Sequence, residues 1–130
     1  MISLFTALAL AIFICVGAKI TRMDKRSGSW TVLLLLLVLI YPAFGLITGW
    51  GSVVYQELIY ASPFLIFFVF RQFHKWHWVS LAFLIHALYA QTHTLWVYNP
   101  EIPVWYKEID GLLSFFIGGY LLTKIRLGRT

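Results

Sequence analysis

The chain has 130 residues, of which 61% are hydrophobic and 12% are charged, and its formal net charge is +5. Soluble domains are about 45–50% apolar and about 25% charged, so this composition excludes an ordinary soluble domain and predicts an integral membrane protein. The basic residues form short clusters between apolar runs, which is typical of topology signals and not of a nucleic-acid-binding stripe, so we expect the lipid bilayer as a partner and no nucleic acid.

Five apolar runs are long enough to cross a bilayer, and they predict an all-α fold, a polytopic membrane helix bundle that forms a single transmembrane domain over residues 1–130. The first run is not preceded by basic residues, so we interpret it as a retained span and not as a signal peptide. A single cysteine, Cys15, leaves no disulfide within the chain and no Cys-based metal motif. The expected spans are about 2–18, 30–49, 53–70, 76–98 and 105–122.

The second span contains a run without any polar side chain, residues 32–40, which we expect to face lipid on all sides. Pro42 follows this run, and proline in a membrane helix often marks a kink. Between the fourth and fifth spans, Pro100 and Pro103 lie close together, so residues 99–103 are predicted to be a loop.

The positions of the basic residues predict how the chain is oriented. With five spans and an outside N-terminus, the inside segments are residues 19–29, 71–76 and 123–130, and they hold nine of the ten Lys and Arg residues. Only Lys107 lies on the other side, so the excess of basic residues is inside, as the positive-inside rule requires. We therefore expect a multi-pass protein of the inner (plasma) membrane with a cytoplasmic C-terminus.

Two histidines lie in the fourth apolar run, His86 and His93. They are seven residues apart, so in a helix they lie within about 20° of one face and about 10.5 Å apart along the axis. Glu57 lies a little over one turn below the outer start of the third span, and Asp110 lies at a similar depth in the fifth. The third, fourth and fifth spans are joined by short loops, so we expect them to be antiparallel neighbours. Glu57, His93 and Asp110 then fall in one layer, with His86 beneath them.

Ionisable groups inside a bilayer are costly, roughly 2.5–3.5 kcal/mol for a charged one on insertion scales. We therefore expect the four residues to pair, to bind a metal or to line a wet cavity. Each residue also has a simpler explanation. A membrane histidine often donates to a neighbouring carbonyl, Glu57 could lie at the headgroup level, and Asp110 could complement its helix dipole.

Residues 86–93 with the 99–103 loop and Asp110 resemble a family of small bacterial membrane proteins without an assigned activity. That family's pattern is His-x-x-x-Asp-x-x-His-His, then Asn-Pro-x-x-Pro, then a later Asp, and an acidic residue in its middle span matches Glu57. The resemblance covers residues 45–120. This chain has Ala90 where the family has Asp, and Thr94 where it has the second His, which weakens a metal site here.

No nucleophile elbow, phosphate-binding loop or CxxC motif assigns a reaction, and three hypotheses remain open. The first is a metal-dependent enzyme or ligand-binding site for a lipid-soluble substrate. Its catalytic and metal-ligating candidates are His86, His93, Glu57 and Asp110, and its cofactor is a divalent Zn, Fe or Mn ion. The second is an accessory or structural subunit, in a homo-oligomer or a larger membrane complex. The third is a small proton or ion transporter.

Overall fold

The computed structural model describes residues 1–49 and 51–130, with the backbone alone at residues 48, 71 and 72. The described residues form five α-helices: α1 (Ile2–Ile20), α2 (Ser27–Thr48), α3 (Gly51–Val69), α4 (Trp76–Trp96) and α5 (Val104–Arg126). Two short 3₁₀ helices lie in the connections, Met23–Lys25 between α1 and α2 and Arg71–His74 between α3 and α4. The all-α prediction is confirmed.

Three of these helices are long and apolar enough to cross a membrane: α1, the Ser27–Ile47 part of α2, and α3. The prediction of helices able to span a membrane is confirmed for these three, by their length and composition. The number of spans and their orientation stay predictions. Helices α4 and α5 contain 21 and 23 residues, so they extend about 32 and 35 Å. They carry three of the four histidines and two of the five carboxylates, which makes them less apolar, and their crossing of the membrane stays a prediction.

The helix boundaries follow from local chemistry. Helix α2 ends at Thr48 and is capped by Gly49, whose φ of 73° is the left-handed conformation that glycine commonly adopts after a helix C-terminus. Helix α4 ends at Trp96 because the chain then becomes extended, and α5 begins directly after Pro103. Residues 97–103 thus form the predicted loop, two residues longer at its start than expected.

Helix packing differs from the simple order of neighbours. Helix α4 packs most extensively on α5, α2 packs on α3 and α4, and α1 packs on α5. We expected α3, α4 and α5 to be consecutive neighbours, but the backbone of α3 lies closest to α2, where Gly45 allows it to approach. A Cβ at Gly45 would lie 2.9 Å from the side chain of Val54. Helix α3 reaches α4 through long side chains, including Phe64 and Tyr60.

An apolar core fills the middle of the bundle. Leu34 and Val38 of α2 belong to it and are only 1% and 3% exposed, so the prediction that residues 32–40 face lipid all round is wrong. Leu36, on the opposite face, is more than half exposed. The other large core residues are Trp30, Phe64, Val79, Phe83, Leu113, Ile117 and Leu121.

The two ends of the bundle differ in chemistry. One end, called here the site end, holds Met1, the end of α2 and the 97–103 loop, and there Ser3 donates a hydrogen bond to Glu108. The other, called the basic end, holds both 3₁₀ helices and the end of α5. At the basic end the Lys124 ammonium lies 3.1 Å from the Asp24 carboxylate and 4.1 Å from the centre of the Trp76 ring.

Candidate functional site

Two histidine–carboxylate pairs lie inside the bundle. Nε2 of His93 is 2.7 Å from Oε1 of Glu57, and Nε2 of His86 is 3.0 Å from Oδ2 of Asp110. All four residues are at most 2% exposed. The structure therefore brings the four sequence-predicted residues together as two pairs, His93 with Glu57 and His86 with Asp110.

Glu57 accepts hydrogen bonds from three donors. Besides His93, the Asn99 amide donates to its Oε1 over 3.1 Å, and the Tyr89 hydroxyl donates to its Oε2 over 2.9 Å. The amide of Asn99 is itself fixed, since its Oδ1 accepts from the backbone N–H of Glu101. A buried carboxylate with three donors is well compensated, and the loop residue Asn99 forms part of the site.

Asp110 is held differently. Its Oδ2 accepts from the Tyr41 hydroxyl over 2.7 Å as well as from His86, whereas its Oδ1 is buried without a partner among the described protein groups. Tyr41 is itself 1% exposed, so this hydrogen bond lies wholly inside the protein. The two carboxylates thus differ, because Glu57 is fully engaged and Asp110 keeps one open oxygen.

Tyr41 joins the two pairs into one site. Its ring centre lies 4.9 Å from that of His93, 6.0 Å from that of His86 and 5.7 Å from that of Tyr89, while its hydroxyl bonds to Asp110. We call this group the polar site. Its members are Tyr41, Glu57, His86, Tyr89, His93, Asn99 and Asp110.

The hydrogen bonds assign the imidazole tautomers. A carboxylate oxygen only accepts, so each Nε2 carries the hydrogen and Nδ1 of each neutral ring is an acceptor. Both Nδ1 atoms, on His86 and His93, are buried without a partner in the described part of the chain. In such an arrangement a ring can act as a general base, because the carboxylate fixes the ring and compensates the charge that it gains when Nδ1 takes a proton.

Further open polar atoms lie along α5. The Tyr106 hydroxyl and the Ser114 hydroxyl are buried without a partner among the described residues, like Oδ1 of Asp110. These three residues are spaced four apart and so lie along one side of the helix. A buried polar atom left unsatisfied costs about 1–3 kcal/mol. A polar group bound in the site could satisfy such an atom.

The arrangement gives no support to a metal centre. The four candidate ligands form two separate pairs, and the described residues include no group of three or more His, Cys, Asp or Glu residues that could hold a metal ion. Each carboxylate engages the Nε2–H of a histidine, and Glu57 also binds two further donors.

An apolar groove between α3 and α4 borders the polar site at Tyr89, on the side of the bundle. Its volume is about 330 Å³. Tyr89 lines the groove and donates to Glu57, while Phe64, another lining residue, lies with its ring edge-to-face against His86 at 5.5 Å. The remaining lining residues are Pro63, Phe67, Phe73, Trp78, Leu81, Ala82 and Ile85.

Toward the basic end the interior is apolar. Below His86 the described buried residues are mainly aliphatic and aromatic, with Val79, Phe83, Ile117 and Leu121 at 0% exposure. The buried hydroxyl of Ser80 donates to the carbonyl of Gly118, so it is already used between α4 and α5. The polar site thus belongs to one half of the bundle.

Three members of the polar site were absent from the sequence-based candidates: Tyr41, Tyr89 and Asn99. Tyr41 follows directly on the run of residues 32–40. A single hydroxyl at the end of such an apolar run indicates a residue that needs a polar partner inside the bundle. Asn99 lay in a predicted loop, where no pattern gives the direction of a side chain.

Comparisons of the chain with protein-family models, with curated proteins and with solved structures found no match. The resemblance to a family of small bacterial membrane proteins therefore stays a prediction.

Proposed function

We propose that the polar site binds the polar group of a lipid-soluble molecule and exchanges protons with it, the two histidine–carboxylate pairs acting as general acid–base groups. The observation that carries this proposal is that Nδ1 of both histidines and Oδ1 of Asp110 are buried without a partner among the described residues. In this proposal a lipid-soluble molecule approaches these acceptors from the apolar groove that Tyr89 lines.

Each residue has a defined role in this proposal. Nδ1 of His86 or His93 accepts a proton from the bound molecule, and the paired carboxylate compensates the resulting positive charge. Tyr41 and Tyr89 hold the carboxylates through their hydroxyls. A positioned acid–base group of this kind typically contributes about 10²–10⁴-fold to a rate.

The orientation belongs to the proposal as well. Five spans with an outside N-terminus and a cytoplasmic C-terminus put the polar site in the outer half of the inner (plasma) membrane and the basic end in the cytoplasm. The distribution of Lys and Arg residues supports this orientation. The apolar interior below His86 favours a site open to one side over a proton or ion path across the whole membrane.

A role as an accessory or structural subunit is the second candidate, and α1 favours it. Only Ala7 and Ala11 of this helix are buried, so most of its surface is free to pack against lipid, a second copy or another membrane protein. In that case the polar site would stabilise the fold, and a variant that removes one of its unpartnered polar atoms would leave the activity of the complex unchanged.

The experiment that tests the proposal compares molecules retained by purified variants. Wild type, His93→Gln and Ile85→Trp are purified in mild detergent, and extracted lipophilic molecules are quantified by mass spectrometry. Ile85 lines the groove and is half exposed, so tryptophan there blocks access. The matched control is Leu95→Trp, also exposed on α4 but outside the groove.

We expect one lipophilic species to be retained by wild type and by Leu95→Trp, and to be lost in His93→Gln and Ile85→Trp. Identical profiles in all four proteins would contradict the proposal. Metal analysis of the same samples tests the metal hypothesis, since stoichiometric zinc, iron or manganese would replace proton exchange as the chemistry of this site.

A further inference from the structure

A cavity of about 680 Å³ lies at the basic end, between the start of α2 and the start of α4. We call it the basic cleft. Five side chains with basic nitrogens line it, from two separate segments of the chain, and its lining contains no Asp or Glu side chain. The lining residues are Lys25, Arg26, Ser27, Gly28, His74, Lys75, Trp76, His77, Ile125 and Thr130.

Two long helices begin at the basic cleft without a side-chain cap. Arg26 precedes α2 and Lys75 precedes α4, and both have extended backbones and no capping hydrogen bond. The first N–H groups of a helix lack intrahelical acceptors, and the helix dipole places about half a positive charge at this end. The charge of the two helix starts adds to that of the lysines and the arginine.

The nearest buried acid does not neutralise these groups. The carboxylate of Asp24 is engaged by the Lys124 ammonium at 3.1 Å and by the Tyr120 hydroxyl at 3.1 Å. Lys124 also donates to the Asp24 backbone carbonyl and lies over the ring of Trp76, a wall of the cleft. Asp24 is thus committed to α5, and the same contacts fix the cleft wall.

We propose that the basic cleft binds a phosphate group, carried either by an anionic lipid headgroup or by free phosphate. A tetrahedral oxyanion uses the components present here: ammonium and guanidinium groups for charge, and open helix amides as directed donors. The cleft lies at the end of the apolar helices, where a headgroup would be met in the proposed orientation. Phosphate binding here therefore rests on that orientation for the headgroup, but not on the acid–base role proposed for the polar site.

The test uses the whole protein in nanodiscs and two probes. In discs of phosphatidylcholine alone, binding of inorganic phosphate is measured by isothermal titration calorimetry. In discs that also contain phosphatidic acid, the lipid bound to the protein is counted by native mass spectrometry. The variants are Arg26→Gln and Lys75→Gln, and the matched control is Arg126→Gln, an exposed arginine of the same end that does not line the cleft.

Each removed cleft charge should weaken binding by about fivefold, the effect expected of one basic residue near an anionic headgroup. Arg126→Gln should change it less than twofold. Binding of inorganic phosphate identifies free phosphate as a ligand, and retention of phosphatidic acid alone identifies a headgroup. The proposal is overturned if neither probe binds, or if Arg126→Gln weakens binding as much as Arg26→Gln.

Discussion

Replacing Glu57 by alanine should destabilise the protein strongly, because three donors, two of them buried, lose their shared acceptor. The donors are Nε2 of His93, the Asn99 amide and the Tyr89 hydroxyl, at 2.7, 3.1 and 2.9 Å. Each unsatisfied group costs about 1–3 kcal/mol. Tyr89 is only partly buried and can turn its hydroxyl to solvent or lipid headgroups, so we expect a total loss of about 3–5 kcal/mol, in the range found when one partner of a buried pair is removed.

Glutamine at the same position separates charge from geometry. Its amide oxygen can accept from His93 and Asn99, while its amide nitrogen faces the Tyr89 hydroxyl, which can accept as well as donate. What is lost is the difference between charged and neutral hydrogen bonds, so Glu57→Gln should cost about 1–2 kcal/mol.

The free energy of unfolding is measured by denaturant titration in mixed micelles, followed by circular dichroism. Glu101→Ala is the control, since Glu101 is exposed in the loop and a surface substitution should lie within about 0.5 kcal/mol of wild type. A free energy of unfolding for Glu57→Ala within that margin of the control, or an equal loss for glutamine and alanine, would contradict the role of Glu57 as a shared acceptor.

Two further predictions use the same measurement. Tyr41→Phe removes the hydroxyl that donates to the carboxylate of Asp110 and keeps the ring. We expect the free energy of unfolding to fall by about 1.5–3 kcal/mol. The control, Tyr55→Phe on the exposed face of α3, should show no significant change. Gly118→Ala places a Cβ 2.9 Å from a side chain of α4 and should cost about 1–3 kcal/mol, whereas Gly119→Ala, with nothing within 4 Å, should cost nothing. Equal effects of Tyr41→Phe and Tyr55→Phe would contradict the hydrogen bond to Asp110. Equal effects of Gly118→Ala and Gly119→Ala would contradict the close packing at Gly118.

Composition and periodicity predict much of this fold because burial in a bilayer restricts the sequence so strongly. Apolar runs of the right length predicted the helices, and the prolines at 100 and 103 predicted the loop. The order of packing was not predictable in this way. Whether α3 lies on α2 or on α4 depends on close approach at Gly45, and a glycine in a sequence does not show what faces it.

The four ionisable residues of the polar site were predictable from their cost in an apolar environment. Their pairing was not, because spacing along one helix does not decide which carboxylate from another helix meets which ring. Tyr41 was missed for a related reason. The run before it was interpreted as facing lipid, although Leu34 and Val38 of that run are buried, and a tyrosine on their side of the helix points inward.

The most direct test of the central claim is nuclear magnetic resonance of the protein in bilayers with ¹⁵N-labelled histidine. The signals are assigned with His86→Gln and His93→Gln variants. We expect both rings to carry the hydrogen on Nε2 and to leave Nδ1 unprotonated. We also expect Nδ1 to receive magnetisation from water or from a bound polar group, although both residues are 0% exposed. Rings protonated on Nδ1 alone, or without any transfer to Nδ1, would contradict the assignment of these histidines as open bases in a reachable site.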